Sequence, residues 1–194
     1  MESQKAVEEI SFIKKIVEEN RKVSYPNGIY FIIWGIAVFL GMLGNFYLVK
    51  EGLGRKILWL WLGIVLVGWV FTVISSRKED RKAGYSDWTG KVYGYLWMAA
   101  GVCMSIIGFT GPFSRVLNPM AICPLIGLIM GMAHFISGMM NDFKWQQIVG
   151  VLWWIGSIVL FFWVAVENFL VFGVMMLLLH ALPGFILNGY YKRQ

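Results

Sequence analysis

The sequence predicts an all-α, polytopic integral membrane protein, with six transmembrane helices preceded by an N-terminal amphipathic helix. Three observations carry this. Hydrophobic residues make up 58% of the 194 and charged residues 14%, where soluble domains run near ~45–50% and ~25%. The mean hydropathy is +0.66. The apolar residues gather into six runs that hold no Asp, Glu, Lys or Arg, most of them close to the ~20 residues a helix needs to cross a bilayer.

Residues 1–24 read as a helix outside the hydrocarbon, because Ala6, Ile10, Ile13 and Val17 recur at helical spacing on one face. Five basic residues balance five acidic ones there. Such a neutral stripe suits an interfacial helix or a docking helix for a protein partner better than one held to anionic lipid by charge. Tyr25-Pro26-Asn27-Gly28 ends it, and 25–194 form the membrane domain. The first apolar run is long enough to span and no small-residue cleavage site follows it, so it is not read as a signal peptide.

The first span is expected over 28–49, closed by a turn at 50–56, and the second over 57–74, followed by a charged loop at 75–91. The third covers 92–111 and leads through a weakly polar connection, 112–121, to the fourth at 122–140. A short loop, 141–147, precedes the fifth span at 148–166, and the sixth runs over 169–191. A turn is required at Glu167-Asn168. An unbroken helix from Ile148 to Tyr191 would be ~65 Å long at 1.5 Å per residue, about twice the bilayer core.

Basic residues give the orientation. Thirteen of the 17 Lys and Arg fall on the side that holds both termini and four on the other. The positive-inside bias therefore puts both termini in the cytoplasm and the protein in the plasma (inner) membrane. Trp59, Trp61 and Trp163 fall toward the outer surface, and Tyr25, Trp88, Trp145, Tyr190 and Tyr191 toward the inner one, as aromatic belts do. Belt and lipid-facing positions are the expected use of most of the ten tryptophans. The net charge of +6 reads as topology, so no nucleic-acid partner is expected.

The spans lack the ionisable residues that mark proton relays and ion coupling. Nucleophile motifs, a phosphate loop, a dinucleotide fingerprint and paired cysteines are missing too. The expectation is a non-enzymatic protein with no cofactor, no metal and no catalytic residue. Cys103 and Cys123 fall at different depths and are expected to be buried small hydrophobes.

Two histidines remain. His134 and His180 lie at similar depth in spans of the same direction, which allows them to face each other without fixing that they do. A shared metal or haem, or a pH-responsive pair, would use that geometry; otherwise each histidine is expected to be neutral and bonded to a hydroxyl or carbonyl of a neighbouring helix. With Trp97 and Asn45 they form the candidate ligand-binding set. Pro183 removes the N–H that would bond the carbonyl of Leu179, so a kink or hinge is expected at Pro183 and Gly184, with His180, water or a ligand as substitute donor. Gly127 and Gly131 form a G-x-x-x-G that Gly138 extends, a face for close helix packing within the chain or in a homodimer.

In helix number and length the chain resembles the small substrate-binding subunits of energy-coupling vitamin transporters. Its first span, however, reads GIYFIIWG, without their small-residue docking pattern. The tryptophan content is similar to that of tryptophan-rich sensory proteins, which have five spans and Trp-Pro signatures absent here. Neither likeness assigns a family. The expected function is a partner-binding, sensory or regulatory module in the lipid bilayer, working through residues 1–24 on a cytoplasmic or membrane protein. The alternative is a transport component that binds a neutral or apolar small molecule in an aromatic cavity near His134 and His180.

Overall fold

A computed structural model describes Ser11 and residues 28–83, 88–114 and 116–191, with the side chains of 79–89, Tyr190 and Tyr191 left out. The expected amphipathic helix at 1–24, its partner face and the basic tail lie outside the described residues. The fold is all-helical, 89% helical and without a strand among the described residues. Six helical segments there are long and apolar enough to cross a membrane.

The helices are α1 (Ile29–Lys50), α2 (Ile57–Ala83), α3 (Trp88–Thr110), α4 (Ile122–Met140), α5 (Lys144–Phe162), α6 (Asn168–Met176) and α7 (Leu182–Tyr191). A π-helical turn, Leu177–Ala181, joins α6 and α7 into one span. Two helix ends close in the same way. Gly52 (φ +69°) follows α1 and Asp142 (φ +55°) follows α4. In each case the next residue reaches back to close the last turn, Leu53 N–H to Leu48 O at 2.8 Å and Phe143 N–H to Gly138 O at 2.8 Å. This left-handed closure satisfies carbonyls that a helix end leaves free.

Several boundaries differ from the sequence reading. The loop expected at 75–91 is mostly helix, because α2 continues to Ala83 and α3 begins at Trp88. Arg, Lys, Glu and Ala are good helix formers, and neither Gly nor Pro intervenes before Gly84. At 1.5 Å per residue α2 is ~40 Å long and overshoots a ~30 Å apolar layer. The fifth span ends at Phe162 rather than Val166, and Asn168 opens the next helix. The Asn168 amide explains the early stop: it donates to Leu160 O at 3.1 Å and Trp163 O at 3.0 Å, capping the end of α5.

Packing divides the bundle. The last span and α4 are the most buried, and α2 and α3 have few fully buried residues along their apolar windows. Cys103, expected to be buried, is exposed on α3, whereas Cys123 is buried. Small residues set the closest approaches. A Cβ on Gly150 would stand 2.7 Å from Gly131 O and 2.7 Å from Phe135 N, so α4 and α5 meet backbone to backbone. A Cβ on Gly138 would meet Gln147 N at 2.7 Å, and Gly127 faces Ser157 of α5. The face bearing Gly127, Gly131 and Gly138 is thus covered by the chain's own α5. Gly35 packs against Ala181, and Gly184 against the backbone of Gly28 and Ile32, which brings α1 antiparallel along the last span.

An apolar core of Met42, Cys123, Met130, Trp153, Leu160, Phe169, Phe172 and Met176 fills the half of the bundle away from the α4–α5 turn. The other half holds the polar cluster described below. The glycine geometry makes a prediction. Gly150→Ala puts a methyl against main-chain atoms that have no rotamer to yield, and overpacking of this kind costs ~1–3 kcal/mol. Gly63→Ala, with nothing within 4 Å of its Cβ, is neutral or stabilising by a few tenths of a kcal/mol. Thermal unfolding of the two variants in the same detergent separates them, and an equal effect would refute the contact.

Candidate functional site

Five of the six spans send a side chain into one cluster. Phe31 comes from the first turn of α1, Tyr93 and Trp97 from one face of α3, His134 and Ser137 from one face of α4, Gln146 from the first turn of α5, and His180 from the π turn. Pairs spaced i, i+3 or i, i+4 share a helix face, which explains the doubled contributions of α3 and α4. His134, Ser137 and Gln146 have no exposed surface, and Phe31 and His180 retain 5% and 4%.

The two histidines meet directly, His134 Nε2 to His180 Nδ1 at 3.0 Å, with their rings edge to face. One nitrogen donates and the other accepts, so two neutral imidazoles complete the bond. Phe31 lies against His180 at 4.6 Å between ring centroids and against Trp97 at 4.6 Å. Trp97 in turn lies 5.2 Å from His134 and 5.5 Å from His180. The Trp97 indole N–H is committed to Ser137 Oγ at 3.0 Å, so this ring offers the cluster aromatic surface and no free donor.

The π turn presents His180. Its closing bond runs from Leu182 N–H to Leu177 O, a five-residue spacing that widens the helix by one residue ahead of Pro183. Leu179 O, which Pro183 leaves without its usual donor, accepts the indole N–H of Trp153 at 3.2 Å. The sequence reading expected His180, water or a ligand in this role. The donor is instead a tryptophan on α5, and His180 keeps its ring for His134.

Beside the histidines the cluster is polar and incompletely bonded. The Tyr93 hydroxyl lies within reach of Trp97, Gln146 and Ser137, yet makes no hydrogen bond of good geometry. Both amide atoms of Gln146 and Nδ1 of His134 are also buried without a partner among the described residues. Buried polar atoms are nearly always bonded, and an unpaired one costs ~1–3 kcal/mol. Four such atoms on three neighbouring side chains therefore mark a place where the fold has kept polar valences in reserve.

Of the residues that the sequence singled out, His134, His180 and Trp97 come together and Asn45 does not. Asn45 is buried 14 residues along α1 from Phe31, ~21 Å at helical rise, where its Oδ1 accepts from Trp61 Nε1 at 3.2 Å. It ties α1 to α2. Pro183 and Gly184 flank the cluster without entering it, and Gly184 serves a close helix contact. Phe31, Tyr93, Ser137 and Gln146 are additions. Ser137 and Tyr93 stand one helical turn from His134 and Trp97, a signal the spacing carried. Gln146 fell in a segment read as loop.

The indole ties can be tested. Trp153→Phe keeps an aromatic ring, smaller than the indole, and removes the donor to Leu179 O, with an expected destabilisation of at least ~1–3 kcal/mol from the bond and a further packing loss that the cycle below cancels. In a Pro183→Ala background, which returns a backbone N–H, the same change costs less. A double-mutant cycle by thermal unfolding reads the difference, and strict additivity would mean that the bond does not substitute for the missing one. Comparison of the chain with known protein families, with characterised proteins and with solved structures finds no match.

Proposed function

We propose that this is a multi-pass membrane protein that takes a small uncharged molecule into the cluster around His134, His180, Trp97 and Phe31, as a transport component and not as an enzyme. One observation carries the reading: five spans converge on two aromatic faces and a neutral histidine pair, with unpaired polar atoms beside them. Ligand sites have this character, mostly apolar walls with a few placed polar groups. No Asp, Glu, Lys or Arg belongs to the cluster, which favours an uncharged ligand, since a buried charge without a partner is costly.

Two features support transport over mere storage. His180 sits on a π turn, a device frequent at functional sites, and interrupted helices commonly form the binding sites of membrane transporters. The cluster also lies toward one end of the bundle, with His134 six residues, or ~9 Å, from the last residue of α4. On the positive-inside reading this is the cytoplasmic side of a plasma-membrane protein with both termini inside. The regulatory reading drew on residues 1–24, which, Ser11 apart, lie outside the described residues.

Native mass spectrometry of protein extracted gently from its own membrane tests the site. The wild type is expected to carry a small uncharged adduct, and a His134→Ala, His180→Ala, Trp97→Ala variant to lose it. Retention of the same adduct by the folded triple variant would remove the site from consideration. Topology has its own check. With Cys103 and Cys123 replaced by Ala, Gln194→Cys is expected to react with a membrane-impermeant thiol reagent only after cells are broken, and labelling of intact cells would invert the bundle.

A further inference from the structure

We infer that the polar end of the cluster, formed by Tyr93, Gln146 and Ser137, is a subsite for a carboxamide or lactam group, a ligand edge with a hydrogen-bond donor and an acceptor side by side. The inference rests on the ligand-binding reading above and names the chemistry it would select.

The argument is one of valence. A primary amide side chain has an acceptor oxygen and two donor hydrogens on one planar group. Gln146 is fully buried, and neither its Oε1 nor its Nε2 is bonded. A second amide, laid edge to edge, satisfies both at once through a donor and an acceptor in the same plane. The Tyr93 hydroxyl, itself unpaired and within reach of Gln146, can donate or accept at the flank. Ser137 Oγ already accepts from Trp97 Nε1 and keeps its own O–H to donate.

The neighbouring aromatics complete the specification. Trp97 has its N–H engaged and its ring packed against Phe31 and the histidines, and Tyr93 lies 6.4 Å from it between ring centroids. A planar ring carrying the amide would lie against Trp97. A carboxylate or an amidinium of the same shape would reach the subsite as a bare charge, with no countercharge among Tyr93, Trp97, His134, Ser137, Gln146 and the histidine-paired His180. A site built to hydrogen-bond a neutral group discriminates strongly against analogues that leave its groups unpaired.

The test uses the full chain in lipid nanodiscs with benzamide as probe, and benzoate and protonated benzamidine as charged isosteres, read by equilibrium dialysis. Wild-type protein is expected to bind benzamide at least about tenfold more tightly than either isostere, a free-energy difference of about 1.4 kcal/mol. Gln146→Met, close in shape and without polar atoms, is expected to lower benzamide affinity about tenfold or more while its unfolding temperature stays level or rises. Tyr93→Phe gives a smaller loss in the same direction. A fall in the unfolding temperature of Gln146→Met with benzamide binding intact would show a structural amide and overturn the subsite, as would equal binding of benzoate. If benzamide does not bind the wild type while the histidine and Trp97 variant still loses its native adduct, the subsite chemistry falls and the ligand-binding reading stands. If no adduct and no probe bind, both fall.

Discussion

The bond from the Trp153 indole to the carbonyl of Leu179 is the interaction on which the arrangement of the last span depends. A proline inside a helix removes one donor and leaves one carbonyl bare, and in apolar surroundings a bare carbonyl has no water to turn to. Trp153 lies buried in the apolar core, against Phe172 at 5.6 Å between ring centroids, and its N–H emerges from that core at the level of Leu179. The same residue thus fills the core and supplies the missing donor. With the carbonyl satisfied from α5, the chain can run through the π turn, and the turn delivers His180 to His134.

That bond is one case of a wider use of tryptophan. Trp34 donates to Thr72, Trp61 to Asn45, Trp97 to Ser137, Trp153 to Leu179 O and Trp154 to Leu128 O. Every one of these bonds joins two different spans, so half of the ten tryptophans lace α1 to α2, α3 to α4, α4 to α5 and α5 to the last span. Glycine is the complement. Trp34 lies over Gly68, Trp69 over Gly101 and Trp154 over Gly131, so a flat ring crosses the neighbouring helix where that helix has no side chain. A helix pair with polar backbone already satisfied gains specificity from such ties and close contacts more than from apolar area alone.

These pairings mark where the sequence was legible and where it was not. Spans, their number and their rough limits follow from hydropathy, because a bilayer-length apolar run has few other uses. The fourth span, expected at 122–140, is α4 to the residue. The G-x-x-x-G face was visible as small residues, while its partner was not: Gly150 on α5 is what turns that face inward. The histidines were found because no Asp, Glu, Lys or Arg is left in the spans; similar depth allowed them to meet, and only the rotation of the helices decides that they do. Gln146 was hidden because a glutamine beside the α4–α5 turn looks solvated, and only the register of α5 decides that it points inward while Lys144 is exposed. The tryptophans misled for a similar reason. Their abundance suggested interfacial belts, and periodicity carries no information on where an indole N–H finds its acceptor.

The two halves of the bundle differ in a way that bears on function. In the half away from the α4–α5 turn, apolar side chains fill the interior, and Asn168 spends both amide hydrogens on capping α5 and leaves one buried atom, its Oδ1, unpaired. In the other half, glutamine, tyrosine and histidine are buried with valences unspent. Were the polar half only a packing element, apolar replacements of equal size would serve it better, since an unpaired buried amide lowers stability where a methionine would not. Stability withheld at one site and secured elsewhere is the usual signature of binding. Here the packed half and the tryptophan ties hold the spans in register, and the register holds the polar groups of five helices around one point.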